Sequence, residues 1–308
     1  MSELALPRAA KRPIAGNTAT GFLKLLALVF MCCDHVGATL LPKVIELRIF
    51  GRIAFPLYCW CLVVGFHYSK SVPKYLFRLL LVGVISQPIY ALAMHHEWLD
   101  LNIFFELMFA LLGLWCMRTK VWGFSVIGPA IMLVLGECCC GKFSYGWKGI
   151  LLVYCLYAVQ DRRRGIAAVM IAFCLFWGST SSALTKVFGF TFASITANAP
   201  WKSILSPWLK LQPMAILSLP LMLVRLPESC QLPEWLADVL TSMKLYRVRF
   251  MRFLRCPEWL VNSLWPISVD RCRHPRNFHL PKWLGYSFYP LHLAIILIIQ
   301  LFMGTVKL

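Results

Sequence analysis

The chain has 308 residues, 59% of them hydrophobic and 14% charged, with a formal net charge of +18. So apolar a composition excludes an ordinary water-soluble globule and points to an all-α, polytopic transmembrane helical bundle, with room for about eight to ten spans of roughly 20 residues. The basic excess fits lysines and arginines gathered on the cytoplasmic side of a membrane protein; no RNA or DNA module accompanies it, so nucleic acid is not an expected partner.

Residues 1–21 read as a basic cytoplasmic N-terminus containing Arg8, Lys11 and Arg12. The apolar run behind them lacks a small-residue cleavage site and reads as a retained anchor. Apolar stretches then fall near 22–41, 47–66, 75–94, 103–117, 121–136, 145–159, 165–178, 207–224 and 283–303. Segment 183–201 fits a loop, a re-entrant hairpin or one more span, so the expected count is about nine to ten. The organisation is one transmembrane bundle over 22–224, a cytoplasmic insert over 225–282, and a final span within 283–308.

Charge sets the orientation. With the N-terminus cytoplasmic, the inner segments hold Lys70 and Lys74, then Arg118 and Lys120, then Arg162, Arg163 and Arg164, then the basic stretch after Arg225. The outer loops, "HHEWLD", "GECCCGKFSYG" and the region of Ser179, are poorer in lysine and arginine, as the positive-inside rule requires of a bacterial inner-membrane protein. Nine spans place the C-terminus outside; ten reverse the last one.

Within the insert, residues 233–257 combine apolar positions at helical spacing, such as Trp235, Val239, Met243, Phe250 and Leu254, with Lys244, Arg247, Arg249, Arg252 and Arg255. That pattern suits an amphipathic helix lying on anionic lipids. The 13 cysteines are scattered through apolar stretches and read as small hydrophobes. "ECCCGK" suits a disulfide if it faces an oxidising compartment, and without a second C-x-x-C it gives no zinc site. No metal is expected.

The polar residues inside apolar stretches carry the chemistry, because ionisable groups are costly there. In "FLKLLALVFMCCDHVGATLL", Lys24 and His35 stand almost three helical turns apart, so they share a face about 16 Å from end to end. A cation near the headgroups and a titratable base beneath it suit the two ends of an elongated anion, such as coenzyme A with its phosphates and thioester. Asp34 points about 100° away from His35 on a helix and needs a cation from another span. Arg48 and Arg52 in the second stretch and Arg78 in the third are the candidates. Arg48 also reads as a snorkelling interfacial anchor. Asn102 and Glu106 share a face at the start of the fourth stretch, where Glu106 balances an arginine, a substrate amine or a structural partner. In the last stretch Tyr289 and His292 share a face beside Pro290, with a cavity role and structural hydrogen bonding both open for His292. Nucleophile-elbow, Walker and H-E-x-x-H motifs are absent from the sequence.

Taken in order, "LKLLALVFMCCDHVGA", "LRIFGRIAFPLYCWCLVVGF", "KYLFRLLLVGVISQPIY", "LNIFFEL", "YGWKGILL" and "YSFYPLHLAIILI" resemble the TraX family of bacterial membrane proteins, whose prototype is associated with pilin acetylation. They are similar, more broadly, to type-three membrane acyltransferases, whose first span bears a basic residue some ten places before a histidine, as Lys24 precedes His35. The resemblance implies an acetyltransferase using acetyl-coenzyme A, with His35 as base beside Asp34, and Lys24, Arg48, Arg52, Arg78, Asn102, Glu106, Tyr289 and His292 around the substrates. The implied acceptor is a pilin, a glycan or a lipid at the membrane. The sequence departs from the pattern at Gln87, where relatives carry an acid, and at Glu106, where they carry a small hydroxyl residue. A transporter or flippase with a buried proton path is the competing reading of the same polar residues.

Overall fold

The computed structural model describes residues 13–119, 121, 123–138, 145–180, 213–224 and 282–304. The N-terminal arginines and lysine, the centre of "ECCCGK", segment 183–201 and the basic insert lie outside the described residues. Every described element is helical: α1 (Thr20–Thr39), α2 (Ile45–Gly51), α3 (Ala54–Tyr68), α4 (Val72–Ala93), α5 (Ile103–Arg118), α6 (Phe124–Cys138), α7 (Trp147–Ala158), α8 (Arg163–Thr180), a 3-10 turn (Pro213–Leu217) running into α9 (Ser218–Leu223), and α10 (Lys282–Phe302). Each of the nine apolar stretches contains helix among its described residues.

Four continuous segments, Thr20–Thr39, Ile45–Tyr68, Val72–Ala93 and Gly285–Phe302, are long and apolar enough to cross a bilayer. By length and composition the described helices do not reach the expected nine to ten. Outward-facing Phe77, Val84 and Ile85 on α4, Val126, Ile127 and Val134 on α6, and Leu291, Ile295 and Ile298 on α10 are exposed. Lipid is the solvent such a belt requires, since water would penalise every one of these side chains.

α3 is the axis of the bundle. Its sequence, "AFPLYCWCLVVGFHY", is apolar on every face, and such a helix is stable only when surrounded. It packs against α1, α5, α7 and α9, with Leu57, Cys59, Trp60, Val63 and Phe66 fully or almost fully buried. The second apolar stretch is not one even helix. Pro56 has no N–H to give the carbonyl of Arg52 and its ring crowds that carbonyl. The chain therefore tightens at Arg52 and Ile53, whose N–H groups reach back three residues to Ile49 and Phe50.

This break lets α2 lie against the C-terminal half of α1. Gly51 makes the approach: a Cβ there would stand 2.6 Å from the Asp34 Cα. On the other flank of α3, Gly149 on α7 leaves room for the Glu106 carboxylate and the Phe55 ring.

The last helix packs on α4 and α1. Tyr286 shares a cavity with Arg78, near the start of α4, while Gln300 Nε2 donates to the Ala93 carbonyl at its end, 3.1 Å away. α10 therefore runs in the same sense as α4 and α1, and its C-terminal end lies on the side opposite Lys70 and Lys74.

Gly51→Ala is expected to destabilise the protein by about 1–3 kcal/mol, because neither facing backbone can yield without opening the α1–α2 contact. The thermal midpoint of the detergent-solubilised variant measures it, and an unchanged midpoint would contradict this packing.

Candidate functional site

A cavity of about 560 Å³ opens among α1, α3, α4, α5 and α10. Its α1 wall is Lys24, Leu28 and Met31, spaced four and three apart on the stripe that continues to His35. The turn between α3 and α4 supplies Lys70 and Ser71, the first turns of α4 supply Lys74, Tyr75 and Arg78, and α10 supplies Tyr286 and Tyr289. Among the described residues, four cations and no carboxylate line this space. The Arg78 guanidinium lies 5.7 Å from the Tyr75 ring centroid, and its buried Nε has no hydrogen-bond partner. An elongated anion with an apolar arm is the ligand such walls favour, and the volume falls within the roughly 300–1,000 Å³ of small-molecule sites.

Behind Tyr289 lie the two histidines. The Tyr289 ring centroid is 6.2 Å from that of His35 and 5.4 Å from that of His292, both edge-on. His35 Nδ1 and His292 Nε2 are 2.7 Å apart, and His292 Nδ1 is 3.0 Å from the Phe288 carbonyl. A carbonyl only accepts, so His292 Nδ1 carries the proton of that bond. In a neutral His292 the Nε2 lone pair then accepts from His35 Nδ1–H, and a neutral His35 keeps its lone pair on Nε2. The carbonyl thus selects the tautomer of a histidine on another helix.

Asp34 turns away from this pair, as adjacency on a helix requires. Its Oδ1 lies 3.0 Å from Arg48 Nη1, which also donates to the Asp34 carbonyl at 3.2 Å. The carboxylate contact is ionic and is not aligned as a hydrogen bond, so the pairing with the backbone is what fixes the guanidinium. Arg48 is the cation from another span that Asp34 needed, and it is held in this pair instead of standing free as an anchor.

Three candidates lie elsewhere. Arg52 hydrogen-bonds Tyr145 and borders a space of only about 10 Å³, beside Phe55 and Cys174, which leaves no room for a substrate. Asn102 is fully buried, and its amide is consumed by structure: Oδ1 caps α5 by accepting from Phe104 N–H at 3.0 Å, and Nδ2 donates to the Gly83 carbonyl at 2.7 Å. Glu106 is also buried; its Oε2 accepts from the Tyr145 N–H at 3.1 Å, and no described arginine forms a salt bridge with it. Gln87 explains its own departure from the family pattern. Its Oε1 accepts from Asn102, while its Nε2 donates to the carbonyls of Trp98 and Asp100, a donor role that a carboxylate cannot fill.

The structure thus brings together Lys24, Arg78 and Tyr289 in the cavity, with His35 and His292 against its inner end and Asp34–Arg48 alongside. Lys70, Lys74, Tyr58, Tyr75 and Tyr286 line it as well and were missed as site residues. The lysines had been accounted for entirely by topology; the signal was the i, i+4 spacing of Lys74 and Arg78, which puts two cations on one helix face.

Apolar helices enclosing a cation-lined cavity, with the His35–His292 pair behind its Tyr289 wall, define a helical membrane protein. The family model described as TraX protein matches residues 19–234, and the chain belongs to that family. It is 32% identical over 151 residues to Protein TraX of Escherichia coli, covering 47% of this chain and 59% of the relative. It is 37% identical over 106 residues to a probable fimbrial assembly protein, FimC, of Dichelobacter nodosus, covering 30% of this chain and 43% of the relative. An uncharacterized protein of Rickettsia prowazekii is 29% identical over 147 residues, covering 47% of this chain and 57% of its own length. The chain spans about half the length of these curated relatives. No solved structure matches.

A double-mutant cycle with Asp34→Asn and Arg48→Gln is expected to give a coupling of about 1 kcal/mol, the double change costing less than the sum of the two single changes, since both groups are partly shielded from water. Additive losses in thermal unfolding would show that the two side chains act independently.

Proposed function

We propose that the protein is an acetyltransferase of the bacterial inner membrane, carrying an acetyl group from acetyl-coenzyme A to an acceptor at or across the bilayer. The single observation behind this reading is the cavity's polarity: cations at one end, a histidine with an available lone pair behind the other. Phosphates belong among Lys24, Lys74 and Arg78, where no described acid competes for them. The apolar arm of the donor then runs along Leu28 and Met31 and presents its thioester toward Tyr289 and His35.

The chemistry follows from the tautomers. His35 Nε2 takes the proton of the acceptor amine or hydroxyl as its nitrogen or oxygen attacks the thioester carbonyl. The carbon–sulfur bond then breaks, and the same proton passes to the leaving thiolate, so the products are the acetylated acceptor and free coenzyme A. His292 spreads the transient positive charge of His35 toward the Phe288 carbonyl. Asp34 and Arg48 offset each other and keep the α1–α2 contact in place, which makes Asp34 a positioning residue in this reading. The acceptor is a pilin or fimbrial subunit, in keeping with the fimbrial assembly protein among the relatives.

Transfer of labelled acetyl from acetyl-coenzyme A to envelope acceptors is expected to fall by about 10²- to 10⁴-fold in His35→Ala, with donor binding retained. His292→Ala is expected to lose about ten- to a hundredfold, because the Nδ1-protonated tautomer of His35 is no longer enforced. Unchanged transfer in His35→Ala, with normal amounts of protein in the membrane, overturns the assignment.

A further inference from the structure

Beyond the mouth of the large cavity lies a second depression of about 340 Å³, lined by Lys70, Ser71, Val72, Pro73, Trp115, Arg118 and Thr119. The two spaces share Lys70 and Ser71 as a common wall, so a ligand too long for the first continues over this sill into the second. Its far wall is the last turn of α5, where Trp115 is 38% exposed although most apolar neighbours on that helix are buried. The Arg118 guanidinium lies 5.6 Å from the Phe66 ring centroid, which limits the orientations its side chain samples before any ligand arrives. On the near wall, Ser71 begins α4 without capping it through its side chain, so the first N–H groups of a 22-residue helix remain without that partner. Among the described residues, no carboxylate lines either space.

We propose that this depression is the nucleotide end of the donor site: Trp115 stacks on the purine, and Lys70 with Arg118 holds the phosphate on the ribose, while Lys24, Lys74 and Arg78 take the pyrophosphate inside the larger cavity. The inference rests on the acetyl-coenzyme A reading of the previous section and adds donor selection to it. A protein built this way takes its acyl group from the free nucleotide thioester and discriminates against donors that end in pantetheine or lack the ribose phosphate. The chemistry favours this over an apolar occupant, since a planar indole and two cations lining one depression suit a phosphorylated base better than an acyl chain.

The test is equilibrium binding of acetyl-coenzyme A and of its 3′-dephospho form to the full chain in lipid nanodiscs, for the unaltered protein, Lys70→Gln, Arg118→Gln and Trp115→Leu. The unaltered protein is expected to bind acetyl-coenzyme A about tenfold more tightly than the dephospho form. Arg118→Gln and Lys70→Gln are expected to remove that preference by weakening only the phosphorylated ligand, and Trp115→Leu to weaken both alike. Unchanged binding of the dephospho form reports that Arg118→Gln and Lys70→Gln are folded, and an unchanged thermal midpoint reports it for Trp115→Leu. If the unaltered protein binds both ligands equally, or if Arg118→Gln weakens both to the same degree, the subsite is refuted while the donor reading stands. If the unaltered protein binds neither, the donor reading itself fails.

Discussion

The hydrogen bond between His35 and His292 joins helices 257 positions apart in the chain. Little else in the site can be placed without it. For the bond to form, α10 must return beside α1 with the same direction, and Pro290 must be accommodated two residues beyond the Phe288 carbonyl that His292 uses. Gln300 at the Ala93 carbonyl and Tyr289 edge-on to Phe104 at 4.9 Å fix that helix at two more heights. Each of these contacts is polar or aromatic, as expected where lipid and protein interior are equally apolar and packing alone cannot choose a partner. The proton arrangement on His35 is thus a property of the assembled bundle.

Charge in the bundle is segregated in a way that a binding cavity requires. The two buried or half-buried acids near the centre, Asp34 and Glu106, are turned toward Arg48 and the Tyr145 N–H, and neither reaches the cavity. Lys24, Lys70, Lys74 and Arg78 are left facing a common space with no acid among the described residues of its walls. Clustering like charges is unfavourable by itself, and water at the mouth or a bound anion is what offsets it. The glycines make this segregation possible at close range: Gly51 admits the Asp34 backbone and Gly149 admits the Glu106 carboxylate, so both acids are sequestered where a larger residue would force them aside.

The positions of the helices were legible because hydropathy is a local property and each apolar stretch contains helix among its described residues. Legible too were the stripe from Lys24 to His35, which the cavity wall follows through Leu28 and Met31, and the need of Asp34 for a cation beyond its own helix. Asn102 and Arg52 misled for a common reason. A polar residue in an apolar run signals a cost that must be offset, and capping a helix or bonding a neighbouring tyrosine offsets it as well as a substrate does. Lys70 and Lys74 misled in the opposite direction: the positive-inside rule offers a complete account of such lysines, and only the i, i+4 spacing of Lys74 and Arg78 pointed to a second role.

By itself, the sequence determined that the chain is helical, where its helices run, which residues share a face, and which acid needed an arginine, because periodicity and hydropathy act within a few turns. Tertiary structure decided which arginine answered, which helix supplied the histidine for His35, in which direction the last helix runs, and which cations were left facing a common space. Those choices depend on contacts between segments far apart in the chain, and on whether a glycine stands where two backbones meet. No local pattern encodes them.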